Sequence, residues 1–150
     1  MKSLRFILIT IFMIISAPAW SADGLISIKS PYSVNQTMQK LETAVKENGL
    51  KVFIKVNHTA GAKSVGQTLR PTSVLIFGNP KGGTPFMRCA QTIGIDMPLK
   101  ALVWKDQKAN VWLSYNDPAY IAKRHQTENC PAVEKISTVL NRISRTATSR

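Results

Sequence analysis

The sequence predicts an α+β domain in which helices pack on one face of a mostly antiparallel sheet. Two observations favour this class. Short apolar segments with strand patterns alternate with amphipathic helical segments, and no internal repeat or low-complexity linker interrupts them. The predicted order is strand, helix, strand, strand, a strand–strand hairpin and a final helix. About 128 residues follow the first 22, which is enough for one domain with its own core.

The first helix has the clearest boundaries. Ser33 and Gln36 have the spacing of a capping box that begins a helix, and Gly49 is placed to end it. Its buried face is predicted from apolar residues at helical spacing, namely Val34, Met38, Leu41 and Val45. A short strand is predicted before this helix, at residues 25–29.

Three segments connect this helix to the centre of the chain. Residues 50–57 predict a half-buried strand, in which Val52, Ile54 and Val56 alternate with their neighbours. Residues 58–69 have no clear period and fit a short helix or an irregular crossover. Residues 74–77 are rich in apolar and β-branched side chains, and they predict a compact buried strand.

The second half of the chain predicts a hairpin and two helices. Residues 99–105 and 110–116 read as antiparallel strands joined by a tight connection. Asp117 and Pro118 form an N-cap and a first helical residue. A C-terminal amphipathic helix at about 131–145 is predicted from Val133, Ile136, Leu140 and Ile143, with a frayed tail after it.

The first 22 residues have the layout of a cleaved secretory signal peptide. Lys2 and Arg5 precede an apolar run at residues 6–15, and small residues surround a cleavage site between residues 19 and 22. The run is shorter than the roughly 20 residues that a spanning helix requires. We therefore expect an exported protein, periplasmic or secreted, whose single domain occupies residues 23–150.

The charge is strongly positive. The chain carries +12, and without Lys2 and Arg5 the net charge is +10. An exported cation is attracted to anionic partners, including the anionic surface of a membrane, so peripheral contact with such a surface is one expected mode of action. Nucleic acid is not expected as a partner in that compartment. The alternative is a basic surface that only keeps the protein soluble.

Cys89 and Cys130 are the two cysteines of the chain, 41 positions apart. An exported location permits a disulfide between them. Closing such a loop stabilises a fold by roughly 4 kcal/mol in the chain-entropy model. Two buried free thiols, or a redox or metal role, are the alternatives that the sequence leaves open.

Four blocks of the chain resemble a known family. They read AGAKSVGQTLRPT, FGNPKGGTPFM, GIDMPLKALVW and VWLSYNDPAYIAKRH. In this order they are similar to the signature blocks of the family called domain of unknown function 302. The resemblance covers about residues 34–125. It implies a small α+β domain similar to the TATA-binding-protein-like fold, with a curved antiparallel sheet and helices on one side, and it implies no activity.

The candidate ligand site combines three polar clusters, which are the glycine-rich segment at residues 79–84, the turn at residues 115–117 and the pair at residues 124–125. A glycine-rich loop before a helix that begins at Thr84 and Pro85 would present backbone N–H groups to an anion. The alternative for this loop is a tight turn in which Gly82 or Gly83 adopts positive φ. The residues of the predicted site are Asn79, Lys81, Gly82, Gly83, Thr84, Tyr115, Asn116, Asp117, Arg124 and His125.

Other kinds of site have weaker support. His58 and His125 show no metal-ligand spacing with each other or with the cysteines, so no metal site and no cofactor are predicted. No nucleophile lies in a recognisable catalytic motif. Trp104 and Trp112 are predicted on the open face of the sheet, either as part of a ligand surface or as a cross-strand aromatic pair.

The sequence favours a small exported domain that binds a ligand or assists another protein without catalysis. The ligand would be an unknown small molecule or an anionic partner. An enzyme of unknown class, acting through Cys89 or a histidine, is one alternative. A basic protein that acts at a membrane surface or in assembly is the other.

Overall fold

A computed structural model describes residues 24–150, and the predicted signal peptide lies outside the described residues. This part of the chain contains five strands and five α-helices. In chain order they are β1 (Leu25–Ser30), α1 (Val34–Glu47), β2 (Lys51–Asn57), α2 (His58–Ser64), β3 (Thr72–Gly78), α3 (Pro80–Cys89), a 3-10 helix (Gln91–Ile95), β4 (Leu99–Lys105), β5 (Val111–Asn116), α4 (Pro118–Arg124) and α5 (Ala132–Thr148).

The strands form one sheet in the order β1-β5-β4-β3-β2, and every neighbouring pair is antiparallel. The predicted α+β class and the β4–β5 hairpin are therefore confirmed. α1 and α5 pack against each other and on one face of the sheet. The core lies between these layers and includes Leu41, Phe77, Val103, Leu113 and Leu140. Burial of this apolar surface is the main source of stability for the fold.

α1 forms as its sequence predicts. Ser33 accepts a hydrogen bond from the backbone N–H of Gln36, and the Gln36 side chain accepts from the N–H of Ser33, which completes the capping box. Gly49 follows the helix with φ of +70°, the left-handed conformation that favours glycine. All four residues of the predicted apolar face are buried.

α3 begins earlier than its sequence predicts, at Pro80 instead of Thr84. Asn79 is the N-cap, and its side chain accepts from the backbone N–H of Lys81 (2.8 Å). The N–H groups of Gly82 and Gly83 both bond to the Asn79 carbonyl, so the glycine segment is already the first helical turn. The predicted loop is therefore wrong, and neither of these two glycines has positive φ.

β2 and the C-terminus also differ from the prediction. The register of β2 shifts between Val52 and Ile54, where Phe53 is an extra residue, so the expected alternation fails and Ile54 is 52% exposed. α5 continues to Thr148, three residues past the predicted end. Ala147 extends its apolar stripe into the core with no exposed surface, and this burial keeps the last turn helical.

Candidate functional site

A cavity of about 220 Å³ lies between the end of α1, the start of α3 and the first turns of α5. Its floor is apolar and its rim is polar. The lining residues are Asn48, Leu50, Gly78, Asn79, Lys81, Gly82, Gly83, Met97, Leu99, Lys135, Ile136 and Val139. The volume is below the roughly 300–1,000 Å³ typical of sites for drug-sized molecules, so the cavity suits a smaller ligand.

Gly83 shapes the wall between α3 and the floor of the cavity. This residue is buried, and a Cβ atom there would lie 3.2 Å from Cε of Met97. A glycine at this position therefore lets Met97 approach the helix backbone closely. A larger side chain would displace Met97 or narrow the cavity.

The side chains of the two asparagines at the rim already form hydrogen bonds within the protein. Asn48 donates from Nδ2 to the Ala44 carbonyl (2.8 Å), and Asn79 donates from Nδ2 to the Gly49 carbonyl (3.0 Å). The Asn79 bond holds the α1–β2 turn against the start of α3, and the Asn48 bond closes the last turn of α1. The side chains fix the shape of the rim, and each already forms one hydrogen bond as a donor and one as an acceptor.

Lys81 and Lys135 are the charged residues of the cavity. Both are exposed, and neither forms a salt bridge with a carboxylate within residues 24–150. Two cations beside an apolar floor attract an anion that carries an apolar part. Because both ammonium groups remain in water, such an anion gains their attraction without the cost of breaking a native ion pair.

A second polar cluster surrounds Asp96. His125 Nε2 lies 2.7 Å from Asp96 Oδ2, and Arg124 Nη1 donates to Asp96 Oδ1 (3.1 Å). The hydroxyl of Thr92 lies 2.8 Å from His125 Nδ1. A hydroxyl, an imidazole and a carboxylate in this order have the connectivity of a nucleophile, a base and an orienting group.

The cavity that borders Asp96 in this cluster is small. The crevice next to Asp96 has a volume of about 10 Å³, close to the minimum that holds a single water molecule. Arg124 and His125 end α4, and Asp96 follows the 3-10 helix, so the contacts join these two segments. We therefore read the cluster as a structural connection between α4 and the start of β4.

The predicted site residues divide into two groups. Asn79, Lys81, Gly82 and Gly83 line the cavity, whereas Thr84 is exposed on α3 outside it. Asn116 borders the small crevice at Asp96, close to Arg124 and His125 in the second cluster. The structure therefore does not join the predicted clusters into one site.

Tyr115 lines a different cavity, of about 550 Å³, beside β1 and α5, and Asp117 caps a helix. Tyr115 is buried, and burial raises the pKa of its phenol, with a smaller lowering by a hydrogen bond with Ser144. Asp117 is the N-cap of α4 and accepts from the backbone N–H of Ala119 (2.9 Å). Neither residue borders the cavity between α3 and α5.

The residues of α5 that line the cavity were not among the predicted site residues. Lys135 and Val139 are one helical turn apart and flank the apolar stripe that contains Ile136. Thr92 was also missed as the partner of His125. The helical spacing of Lys135 and Val139 was visible in the sequence, but the packing of α5 against α3 was not.

Cys89 and Cys130 form a disulfide, with their Cα atoms 5.9 Å apart. It joins the C-terminal end of α3 to the turn before α5, so it holds together two of the elements that line the cavity. No free cysteine is present within residues 24–150. Because both sulfur atoms are in the disulfide, Cys89 cannot act as an enzymatic nucleophile in this oxidised form.

Within the described part of the chain, no group of three or more His, Cys, Asp or Glu residues is arranged to hold a metal ion. None of the helices among residues 24–150 is both long and apolar enough to cross a bilayer.

An α+β domain with a five-stranded antiparallel sheet, helices on one face and a cavity between two of them defines the class of this protein. The family model described as Domain of unknown function DUF302 matches residues 26–143, and the chain belongs to this family. A solved DUF302 protein from Bacillus stearothermophilus has a similar fold, with a TM-score of 0.68 at 18% identity over 85% of this chain and 97% of that one.

Three curated relatives are named as fluoride-specific ion channels. FluC 1 of Brucella suis biovar 1 (strain 1330) is 46% identical over 103 residues, which are 69% of this chain and 41% of that protein. FluC 1 of Brucella abortus biovar 1 (strain 9-941) and FluC 2 of Brucella melitensis biotype 1 match with the same identity, over 38% of their lengths. The chain thus spans about two fifths of the length of these relatives.

Proposed function

We propose that the protein is an exported, non-catalytic domain that binds a small amphipathic anion, such as an aliphatic carboxylate, in the cavity between α3 and α5. One observation carries this proposal: Lys81 and Lys135 flank an apolar floor and form no ion pair within the described residues. The apolar part of the ligand would contact Leu50, Ile136 and Val139, and its carboxylate would contact the lysines.

Calorimetric titration of the protein with octanoate tests this function. We expect one binding site, with weaker binding of hexanoate because fewer CH₂ groups are buried. Octanol, which has a similar chain but no charge, should bind more weakly than octanoate. The double variant K81Q/K135Q should lose about tenfold in affinity for octanoate, while K123Q, which removes an exposed cation on α4, should bind as the wild type does.

Two results would reject the carboxylate site. One is the absence of binding by octanoate and hexanoate at millimolar concentration. The other is equal affinity of the wild type and K81Q/K135Q, because the lysines would then have no part in recognition. Circular dichroism of each variant shows whether the fold is kept.

Export is part of the same proposal, and it is supported by the n-region, the apolar run and the small residues in the first 22 positions. The mature protein should be found in the periplasm or the medium. Mass spectrometry should show that its N-terminus lies after one of the residues 19–22. Recovery of the uncleaved chain from the cytoplasm would contradict export.

The relatives favour a second candidate function, as an accessory domain of a fluoride channel. The supporting observation is that proteins named as such channels contain a region 46% identical to this chain. A Brucella suis channel that lacks the matched region, reconstituted in vesicles, should change its rate of fluoride release when this chain is added. An unchanged rate would argue against this candidate and would leave the carboxylate site untouched.

A further inference from the structure

The face of the sheet opposite α1 and α5 is an apolar surface with cations at its ends. We define this open face by the apolar outward side chains of the strands, which are Phe53, Ile54, Val56, Val74, Ile76, Leu102, Trp104 and Trp112; Lys29 and Lys100 lie on the same face. The strand registers place them together, since Val74 pairs with both Val56 and Leu102. Phe53 and Ile54 are exposed, and the other six are partly buried.

Most of the exposed large hydrophobic residues in the described part of the chain lie in β2 and in the connection after it. Within the described part of the chain, six large hydrophobic residues are exposed, and four of them lie between residues 53 and 69. Phe53 and Ile54 are 48% and 52% exposed, and Val65 and Leu69 follow in the β2–β3 connection at 70% and 42%. Phe53 and Ile54 are neighbours in β2, so together they enlarge the contiguous apolar patch of the open face, and such patches mark interaction surfaces.

The bulge in β2 increases the apolar area of the open face. The shifted register brings Phe53 to the same side as Ile54, and Cε2 of Phe53 lies 3.4 Å from where a Cβ of Gly78 would be. Regular alternation would have turned one of the two side chains toward α1. The bulge therefore adds a second large side chain to the exposed surface of an edge strand.

The two tryptophans are suited to a partly dehydrated environment. Their rings stack with centroids 6.5 Å apart. Trp104 Nε1 donates to the Ser114 hydroxyl (2.9 Å), and Trp112 Nε1 donates to Asp106 Oδ2 (2.9 Å). Since both indole N–H groups are already bonded within the protein, the rings lose little when water is removed from their faces.

Cations stand at both ends of the open face. Lys51 pairs with Gly78 at one end, with its Nζ 5.9 Å from the centroid of the Phe53 ring. At the other end, Arg70 donates from Nε to the carbonyl of Lys105, the last residue of β4 (3.2 Å). One carboxylate, Asp106, lies beside this surface, and it is bonded to Trp112 and Asn110.

We propose that the open face docks on the headgroup region of an anionic phospholipid bilayer. Trp, Phe and aliphatic side chains flanked by Lys and Arg match the apolar and anionic layers of such a surface. A second copy of this chain fits less well, because a two-fold interface would bring the cations of both copies together. This inference is independent of the carboxylate site.

Sedimentation of the mature protein with lipid vesicles tests the proposal. We use the form that begins at Ala22, which lacks Trp20, so its tryptophan fluorescence comes from Trp104 and Trp112 on the open face. We expect binding to vesicles that contain phosphatidylglycerol, weaker binding to pure phosphatidylcholine, and further weakening in high salt. Bromine-labelled acyl chains should quench the fluorescence of the bound protein.

Variants of the face provide the second part of the test. F53S/I54S should lower the partition coefficient about tenfold, and I95S, which changes a residue that is 74% exposed outside the strands, should leave it unchanged. K51Q/R70Q should lower it by at least about fivefold and reduce the salt dependence, while K123Q should change it little. Circular dichroism confirms folding, and K51Q/R70Q keeps the test valid if F53S/I54S unfolds.

Three outcomes would overturn the docking proposal. The first is no binding to phosphatidylglycerol vesicles at low salt. The second is binding that F53S/I54S and K51Q/R70Q do not weaken and that leaves the tryptophans unquenched. The third is a stable dimer in sedimentation equilibrium that F53S/I54S dissociates, because the open face would then belong to a second copy of the chain.

Discussion

Asp96 and His125 are 29 positions apart in the chain, and Asp96 Oδ2 lies 2.7 Å from His125 Nε2. Their side chains are 12% and 8% exposed, and Arg124 makes a further contact with the same carboxylate. The pair joins the end of α4 to the segment before β4. Each group therefore satisfies a polar partner that would otherwise be poorly solvated.

We expect D96N to lower the free energy of unfolding by about 1–3 kcal/mol, because it removes the charge that satisfies a mostly buried imidazole and a guanidinium. E42Q, which removes the partner of Lys55 in an exposed pair, should cost less than about 1 kcal/mol. Urea denaturation of both variants measures the difference. Equal stability of D96N and E42Q would show that the Asp96 contacts contribute little.

The disulfide should make a larger contribution. C89S/C130S opens a loop with a sequence separation of 41 residues, and we expect a loss of about 4 kcal/mol, because the unfolded chain regains conformational freedom. Denaturation with and without a reducing agent checks this value. The reducing agent should destabilise the wild type and leave C89S/C130S unaffected, and the same response in both proteins would contradict the assignment.

Two glycines with positive φ should respond differently to alanine. At Gly49, with φ of +70°, an added Cβ meets open space, so G49A should cost about 1 kcal/mol from backbone strain alone. At Gly24, with φ of +74°, the added Cβ would overlap the ring of Tyr120. We expect G24A to cost about 1–3 kcal/mol more than G49A. Thermal unfolding of the two variants ranks them, and a smaller loss in G24A would be inconsistent with this packing.

Asp106 should make the stability of the protein sensitive to acid. Hydrogen bonds from Trp112 and Asn110 lower the pKa of its carboxyl from 3.8 to about 2. The pKa is lower in the folded state than in the unfolded state. The contribution of Asp106 to the free energy of unfolding is therefore present above pH 4 and is lost as the pH falls toward 2. D106N should show a smaller loss of stability than the wild type over this range. Carboxyl NMR, which should give a pKa well below 3.8 for Asp106, provides a direct check.

The local parts of this fold were visible in the sequence. The capping box at Ser33 and the Asp117–Pro118 helix start depend on residues within one turn, so sequence spacing was enough to find them. The α5 prediction ended too early because the burial of Ala147 depends on tertiary packing. The start of α3 was misplaced because Thr84–Pro85 and Asn79–Pro80 carry the same signal, and only the structure shows which one begins the helix.

The candidate site was only half predictable. The segment from Asn79 to Gly83 was singled out for its composition, and it does line the cavity. Lys135 and Val139 come from a helix more than fifty residues away in the chain, and no local pattern links them to that segment. The pairing of His125 with Asp96 and Thr92 depends on tertiary contacts in the same way.

An NMR titration of the isotope-labelled protein with octanoate locates the bound ligand. The largest changes in chemical shift should occur at the backbone amides of Leu50, Gly83 and Val139, which surround the cavity. The indole N–H signals of Trp104 and Trp112 should stay in place. Shifts confined to the indoles, or no shifts at saturating octanoate, would contradict the account.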